Sequence, residues 1–136
     1  MIAFRVEGTP VPKARPRFTK FGRTYTPKRT KVYERLVAQH AQIAMVGKPK
    51  LEGALGLVVT AFMGMPVRWS IAKKNAAIRG EVAPAAKDLD NIVKAISDAM
   101  NGVVYADDRQ IAEIRAAKKY STGPCVTVSV FELRRG

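Results

Sequence analysis

The sequence predicts an α+β fold: one domain spanning residues 1–136, with a mixed four-stranded β-sheet, two main helices packed on one face, and a basic N-terminal arm. Three observations lead there. Four runs have strand character, and two others repeat apolar residues at helical spacing. Their order is strand, basic arm, helix, central strand, basic insert, helix, strand, strand. Helices that bury a single stripe need a sheet face to cover, and a four-stranded sheet with two helices on one side is the economical arrangement. Hydrophobic residues at 47% and charged residues at 26% are ordinary for a domain with a real core. The order of the strands within the sheet does not follow from this pattern.

Residues 2–7, "IAFRVE", alternate apolar and polar and read as the first strand. The following "GTPVPKARPRFTKFGRTYTPKR" cannot be helical, because Pro10, Pro12 and Pro16 each remove a donor and fix φ. It reads as an extended arm or irregular hairpin around Phe21-Gly22-Arg23. The first helix has Thr26 as expected N-cap and Pro27 at its first position. Val32, Tyr33, Leu36, Val37 and Ile43 recur on one face, and Gly47 is the expected stop. His40 lies near that stripe and reads as structural. "ALGLVVTAFM", 54–63, is apolar on both faces, as a central strand is. Between 64 and 86 a loop, a short basic helix near 70–79 and a second loop are expected. Leu89, Ile92, Val93, Ile96 and Met100 then mark the second main helix, ended by Asn101-Gly102. "QIAEIRAAKKY" and "CVTVSVFEL" read as two final strands joined by a turn at 121–124.

The bulk numbers also exclude and suggest functions. No run is long and apolar enough to span a bilayer, and the start has no secretory h-region, so the expectation is a cytoplasmic protein with no membrane partner. The single cysteine, Cys125, excludes an internal disulfide and a cysteine-rich zinc site. Twenty-four Lys and Arg against eleven Asp and Glu give a net charge of +13, which points to a polyanion, nucleic acid above all.

Against that background all five aspartates fall in residues 87–110, "KDLDNIVKAISDAMNGVVYADDRQ": Asp88, Asp90, Asp98, Asp107 and Asp108. Inside a helix, Asp88 and Asp90 would point nearly opposite ways; they can converge only if Asp88 stands at or before the N-cap. There the helix dipole also favours a carboxylate. Asp107 and Asp108 come from the loop after the same helix, and spacing alone does not say which of them joins. Three carboxylates from two segments make a hard oxygen site suited to Mg²⁺ or Mn²⁺. The bland alternatives are an N-cap at Asp88, turn residues at 107–108, and an ion-pair ladder through Asp90, Lys94 and Asp98. The ladder is accepted for Asp98. A calcium hand is excluded by Ile92 and Val93. Acidic metal ligands within a basic chain suit phosphodiester hydrolysis by a metal-activated water, with Lys and Arg holding the backbone. No covalent nucleophile set or phosphate loop is visible.

The same stretch resembles the signature of the RusA family of Holliday-junction resolvases: D-x-D-N, a Lys four residues after the second Asp, D-A, N-G-V and D-D-x-Q. "PKARPRF", "GRTYTP" and "RWSIAKKNAA" match more loosely, so the resemblance covers nearly the whole chain. Many members have Pro before the first Asp, where this chain has Lys87. The resemblance implies a homodimeric, Mg²⁺-dependent crossover junction endodeoxyribonuclease that nicks four-way DNA symmetrically, with Mn²⁺ able to substitute. By position it implies metal ligation by Asp88, Asp90 and Asp108, a required Lys94, and supporting places for Asp107 and Asn91. For DNA binding, Lys13, Arg15, Arg17, Lys20 and Arg23 are expected from the arm, where Phe18, Phe21 and Tyr25 interleave. Lys73 and Lys74 are expected from the insert. Two competing readings are a non-catalytic basic DNA-binding protein whose acidic cluster holds a structural ion, and a nuclease for other branched phage DNA.

Overall fold

The two-faced apolar run takes the centre of the sheet as β4 (Leu55–Gly64). The computed structural model describes residues 1–14, 17–25, 27–85 and 88–134, without the side chains of Arg17 and Phe18. The other strands of the sheet are β1 (Ile2–Glu7), β5 (Ile111–Ser121) and β6 (Cys125–Glu132), in the order β1-β6-β4-β5. β6 runs antiparallel to both neighbours, and β4 and β5 are parallel, so the sheet is mixed. β5 and β6 follow one another across a short turn, yet they do not pair: β4 lies between them. β5 carries Glu113, Arg115 and Lys119 among its residues, which suits an edge strand. β6 alternates buried Val126, Val128 and Val130 with half-buried residues, which suits the interior.

The helices are α1 (Lys28–Ala44), α2 (Ile71–Ile78) and α3 (Leu89–Ala99). Tyr33, Val37 and Ala41 of α1 and Ile92 and Ile96 of α3 join Leu57, Val59, Val128 and Val6 in one buried cluster. Both main helices therefore cover one face of the sheet, as the stripes require. On the other face Val58, Thr60, Phe62 and Phe131 stay half-buried, and α2 shares a cavity with Phe62 and Lys119 beside the end of β5. Gly56 is needed on that side, because a Cβ would collide with the Phe131 ring. Among the described residues no helix is long and apolar enough to cross a membrane.

The helix ends refine the sequence reading. Pro27, expected inside α1, is its N-cap and supplies no side-chain bond; Thr26, the expected cap, lies outside the described residues. α2 is capped by Ser70, whose Oγ accepts from the Lys73 amide at 3.1 Å. The expected hairpin is present as β2 (Arg17–Phe18) and β3 (Thr24–Tyr25), with Gly22 at φ 79° in the turn. Residues 11–14 are not a free arm. The Lys13 amide donates to Asn91 O at 2.8 Å and the Ala14 amide to Thr30 Oγ1 at 3.3 Å, lacing the segment to α3 and α1.

Candidate active site

Helix α3 organises the acidic residues. Its apolar stripe faces the core, which leaves Asp90 and Lys94 exposed on the outer side. Asp88 is the N-cap, as expected, but in the left-handed region at φ 66°, alone in this among the described non-glycine residues. Aspartate tolerates that region better than most side chains. The left-handed turn also breaks the extended alternation on which a shared face for Asp88 and Asp90 depends. Asp88 lines a cavity of about 510 Å³ with Pro12, Lys13, Arg29, Thr30 and Asn91. Asp90 borders a more apolar groove of about 610 Å³ with Leu89, Val93, Lys94, Ile114 and Ala116. Neither carboxylate has a side-chain hydrogen bond or ion pair among the described residues.

The far end of α3 is built differently. Asp98 takes the Lys94 ammonium at 3.2 Å and that of Lys13 at 3.1 Å, and Lys13 also reaches Glu34 of α1 at 2.6 Å. The side chains of Lys13, Glu34 and Asp98 are only 20–21% exposed, so this is a half-buried network and not a surface ladder. Burial works to raise the pKa of Asp98, but the two lysines outweigh it and hold the carboxyl below its ordinary range. Burial likewise works against the charged form of Lys13, but Glu34 and Asp98 prevail and raise its pKa.

Asp107 and Asp108 follow in a loop that ends in a 3-10 turn, Asp108–Gln110. Asp107 Oδ1 accepts from the Arg109 amide at 2.9 Å, and Gln110 Oε1 accepts from the Asp107 amide at 3.2 Å, a reciprocal cap. The bond from the Arg109 amide lowers the Asp107 pKa. The Asp108 amide donates to Asn101 Oδ1 at 2.8 Å, which sets its carboxyl beside Asp98. Partial burial, then the approach of Asp98 and Asp107, raise the Asp108 pKa.

Within the described residues Asp108 is grouped with Asp98 and not with Asp88 or Asp90. Asn101, which holds Asp108, is thirteen residues beyond Asp88, roughly 20 Å along a helical path. Among the described residues no three acidic, His or Cys side chains form a group able to hold a metal ion. Carboxylates suit a hard divalent cation, and here Asp88 and Asp90 stand at one end of α3 with Asp108 toward the other.

The expected DNA contacts also sort unevenly. Lys13 is occupied by Glu34 and Asp98. Arg15 and the side chain of Arg17 lie outside the described residues. Lys20 and Arg23 are exposed on the hairpin, with Lys20 Nζ 5.3 Å from the Phe21 ring centre. Lys73 and Lys74 sit on α2. His40 is structural in its contacts, with Nδ1 2.9 Å from Leu36 O. Sequence reasoning missed Arg29 beside Asp88, and Lys118, Lys119 and Tyr120 beside α2. The run "KKY" in a predicted strand was the available signal for the second group.

Comparison with known families matches residues 7–131 to endodeoxyribonuclease RusA. The chain belongs to the RusA family. The RusA family comprises Holliday-junction resolvase nucleases of recombination, which act on branched DNA and depend on a divalent metal. A curated relative, the uncharacterized protein YqaN of Bacillus subtilis (strain 168), is 34% identical over 140 residues, covering 97% of this chain and 96% of its own.

Proposed function

We propose that this chain resolves four-way DNA junctions by paired, symmetric nicks, as a two-fold dimer, using Mg²⁺, or Mn²⁺ in its place. The ligands in this reading are Asp88, Asp90 and Asp108. The observation that carries it is the pair of carboxylates, Asp88 and Asp90, at one end of α3 with no side-chain partner among the described residues, in a chain of net charge +13. Carboxylates two residues apart repel one another when both are ionised, and a divalent cation relieves that repulsion. A bound divalent ion supplies charge neutralisation at the phosphoryl oxygens and a bound water of lowered pKa.

The chain's own residues do the rest. In this reading Lys94, with a side chain 59% exposed and one turn beyond Asp90, meets the scissile phosphate while Asp98 keeps its ammonium oriented. Arg29 and Asn91 border the cavity that holds Asp88, where an adjoining phosphate fits. Lys20 and Arg23 of the hairpin, with Arg15 and Arg17, track the DNA backbone. Neutralising Arg15 and Arg17 should weaken junction binding and lower its salt slope by roughly one for each phosphate no longer neutralised. An unchanged slope would count against phosphate contact.

The dimer answers the separation of the acidic ends. Two copies of α3 packed antiparallel across a two-fold axis set the Asp88–Asp90 end of one chain against the Asp108 end of its partner. The apolar groove of Leu89, Val93, Ile114 and Ala116 borders α3, and Ile114 is 57% exposed there. Sedimentation should give twice the 14.9 kDa chain mass, and Ile114→Glu should give monomers that do not cut.

Mixing inactive Asp90→Asn with inactive Asp108→Asn protomers tests the arrangement directly. If each site draws on both chains, the mixed dimer regains one intact site and nicks one strand. If each site lies within one chain, the mixture stays inactive. Junction binding without any cleavage in Mg²⁺ or Mn²⁺ would favour the non-catalytic reading instead.

A further inference from the structure

Away from the acidic residues, a second surface joins α2 to the end of β5. Trp69, half-buried, meets Tyr120 edge to face at 5.1 Å between ring centres, at an interplanar angle of 71°. The Lys73 ammonium lies over one face of the Trp69 ring, 4.2 Å from its centre, so a stacked base uses the other face or displaces this flexible side chain. Next to it a cavity of about 400 Å³ is lined by Tyr120, Lys119, Arg79 and Ile78 among others. Val67, Ile71 and Ile78 are exposed on the same segment. Across residues 62–84 and 116–121 there are six cations and one acid, Glu81, which Arg79 already holds through two hydrogen bonds of 3.1–3.2 Å.

We infer that Trp69, in contact with Tyr120 and Lys73 on a basic segment of the surface, is a stacking platform for an unpaired nucleobase of the bound DNA. The inference rests on the reading of the chain as an enzyme of branched DNA. Charge and shape point the same way. A second copy of this chain would bring six more cations to the same patch, and an isologous contact of that kind is repelled. DNA brings phosphates to the lysines. Contact with duplex backbone alone has no use for an aromatic ring set among exposed aliphatic side chains. A base face does, because stacking on an indole is tolerant of sequence and is reinforced by nearby cations. The place where a four-way junction offers unstacked bases is its branch point. The platform therefore holds an opened base near the exchange point, outside the acidic site.

Trp69 is the sole tryptophan, so its emission reports this position alone. The experiment adds DNA to the full chain in chelator, with binding followed independently by polarisation of end-labelled DNA. Four-way junction and single strand should quench Trp69 emission at the concentrations where they bind. Linear duplex, and an abasic single strand of equal length, should bind with the emission unmoved. Trp69→Ala should weaken junction binding roughly tenfold and Trp69→Phe should restore most of it. Binding of the junction with no change in emission overturns the inference and leaves the proposed function standing. Quenching by the abasic strand overturns it in favour of phosphate contact. Emission that follows protein dilution and not DNA overturns it too, and makes the patch a protein interface. Failure to bind any DNA overturns both readings.

Discussion

The two ends of α3 carry the same residue type in opposite circumstances. At the N-terminal end Asp88 and Asp90 have no side-chain partner among the described residues and border open concavities. At the C-terminal end Asp98 is held by Lys13 and Lys94, and Asp108 leans on it. A satisfied carboxylate contributes to folding and has little left to offer a ligand. An unsatisfied one contributes nothing to folding and keeps its full attraction for a cation. Clustering in sequence cannot tell these apart; partnership in space does. The expected split is stability at one end and activity at the other, with Asp108 on the boundary.

The largest expected effect breaks or keeps that split at its active end. Asp90→Asn or Asp88→Asn should cut junction cleavage by about a thousandfold or more, on the order of several kcal/mol of transition-state stabilisation. The unfolding free energy should stay within about 0.5 kcal/mol of wild type, as for surface changes without partners. Denaturant titration beside a cleavage assay checks both, and a large loss of stability in either variant would erase the distinction.

Asp98→Asn should act chiefly on stability, with a smaller loss of cleavage as Lys94 is released. Removing the shared partner of two lysines should cost about 2 kcal/mol of stability. Lys13→Met should remove overlapping interactions, so the double variant should fall short of the sum of the singles. The folded pKa of Asp98 lies below its unfolded value. Its contribution is therefore complete above the unfolded pKa of about 4 and fades as pH falls through the lowered folded value. Thermal melts from pH 6 downward should show a shallower acid loss in Asp98→Asn than in wild type. Parallel curves would mean that the network carries no linked proton.

The smallest effect sits on the boundary. Asp108→Asn removes a carboxylate whose pKa is raised by burial and by Asp98, so it should gain a few tenths of a kcal/mol after solvent screening while losing cleavage. Calorimetry in chelator resolves a rise of that size. A fall in stability would place Asp108 among the satisfied carboxylates.

Much of this architecture was legible in the residues. Alternation in 2–7 and the two-faced run at 54–63 placed β1 and β4, and the Leu89-to-Met100 stripe placed α3 to within a residue or two. The sheet order was not, because a short turn between β5 and β6 has the sequence of a hairpin whether or not another strand lies between. The i,i+4 pairing of Lys94 with Asp98 follows from helical spacing, but the Lys13–Glu34 link across twenty-one residues has no local signature. Asp107 could have been separated from Asp108 earlier, since Asp107 and Gln110 have capping-box spacing. The left-handed backbone at Asp88 had no local signal; the side of Asn101 on which Asp108 settles had none either. Ligand types can be read from a motif; their convergence depends on backbone angles and on how many chains take part.

The place of β4 has a consequence for how the chain is made. Its two sheet neighbours, β5 and β6, both lie later in the sequence, with α2 and α3 intervening. During synthesis Leu55–Gly64 emerges as an apolar strand with two unpaired edges and waits more than forty residues for its first partner. Parallel pairing with β5 closes a long loop, which makes it a slow, late event. The acidic residues of α3 lie inside that loop. A chain stalled or cut before residue 111 would thus carry the aspartates and still have no scaffold to hold them, and its exposed central strand would be its main route to aggregation.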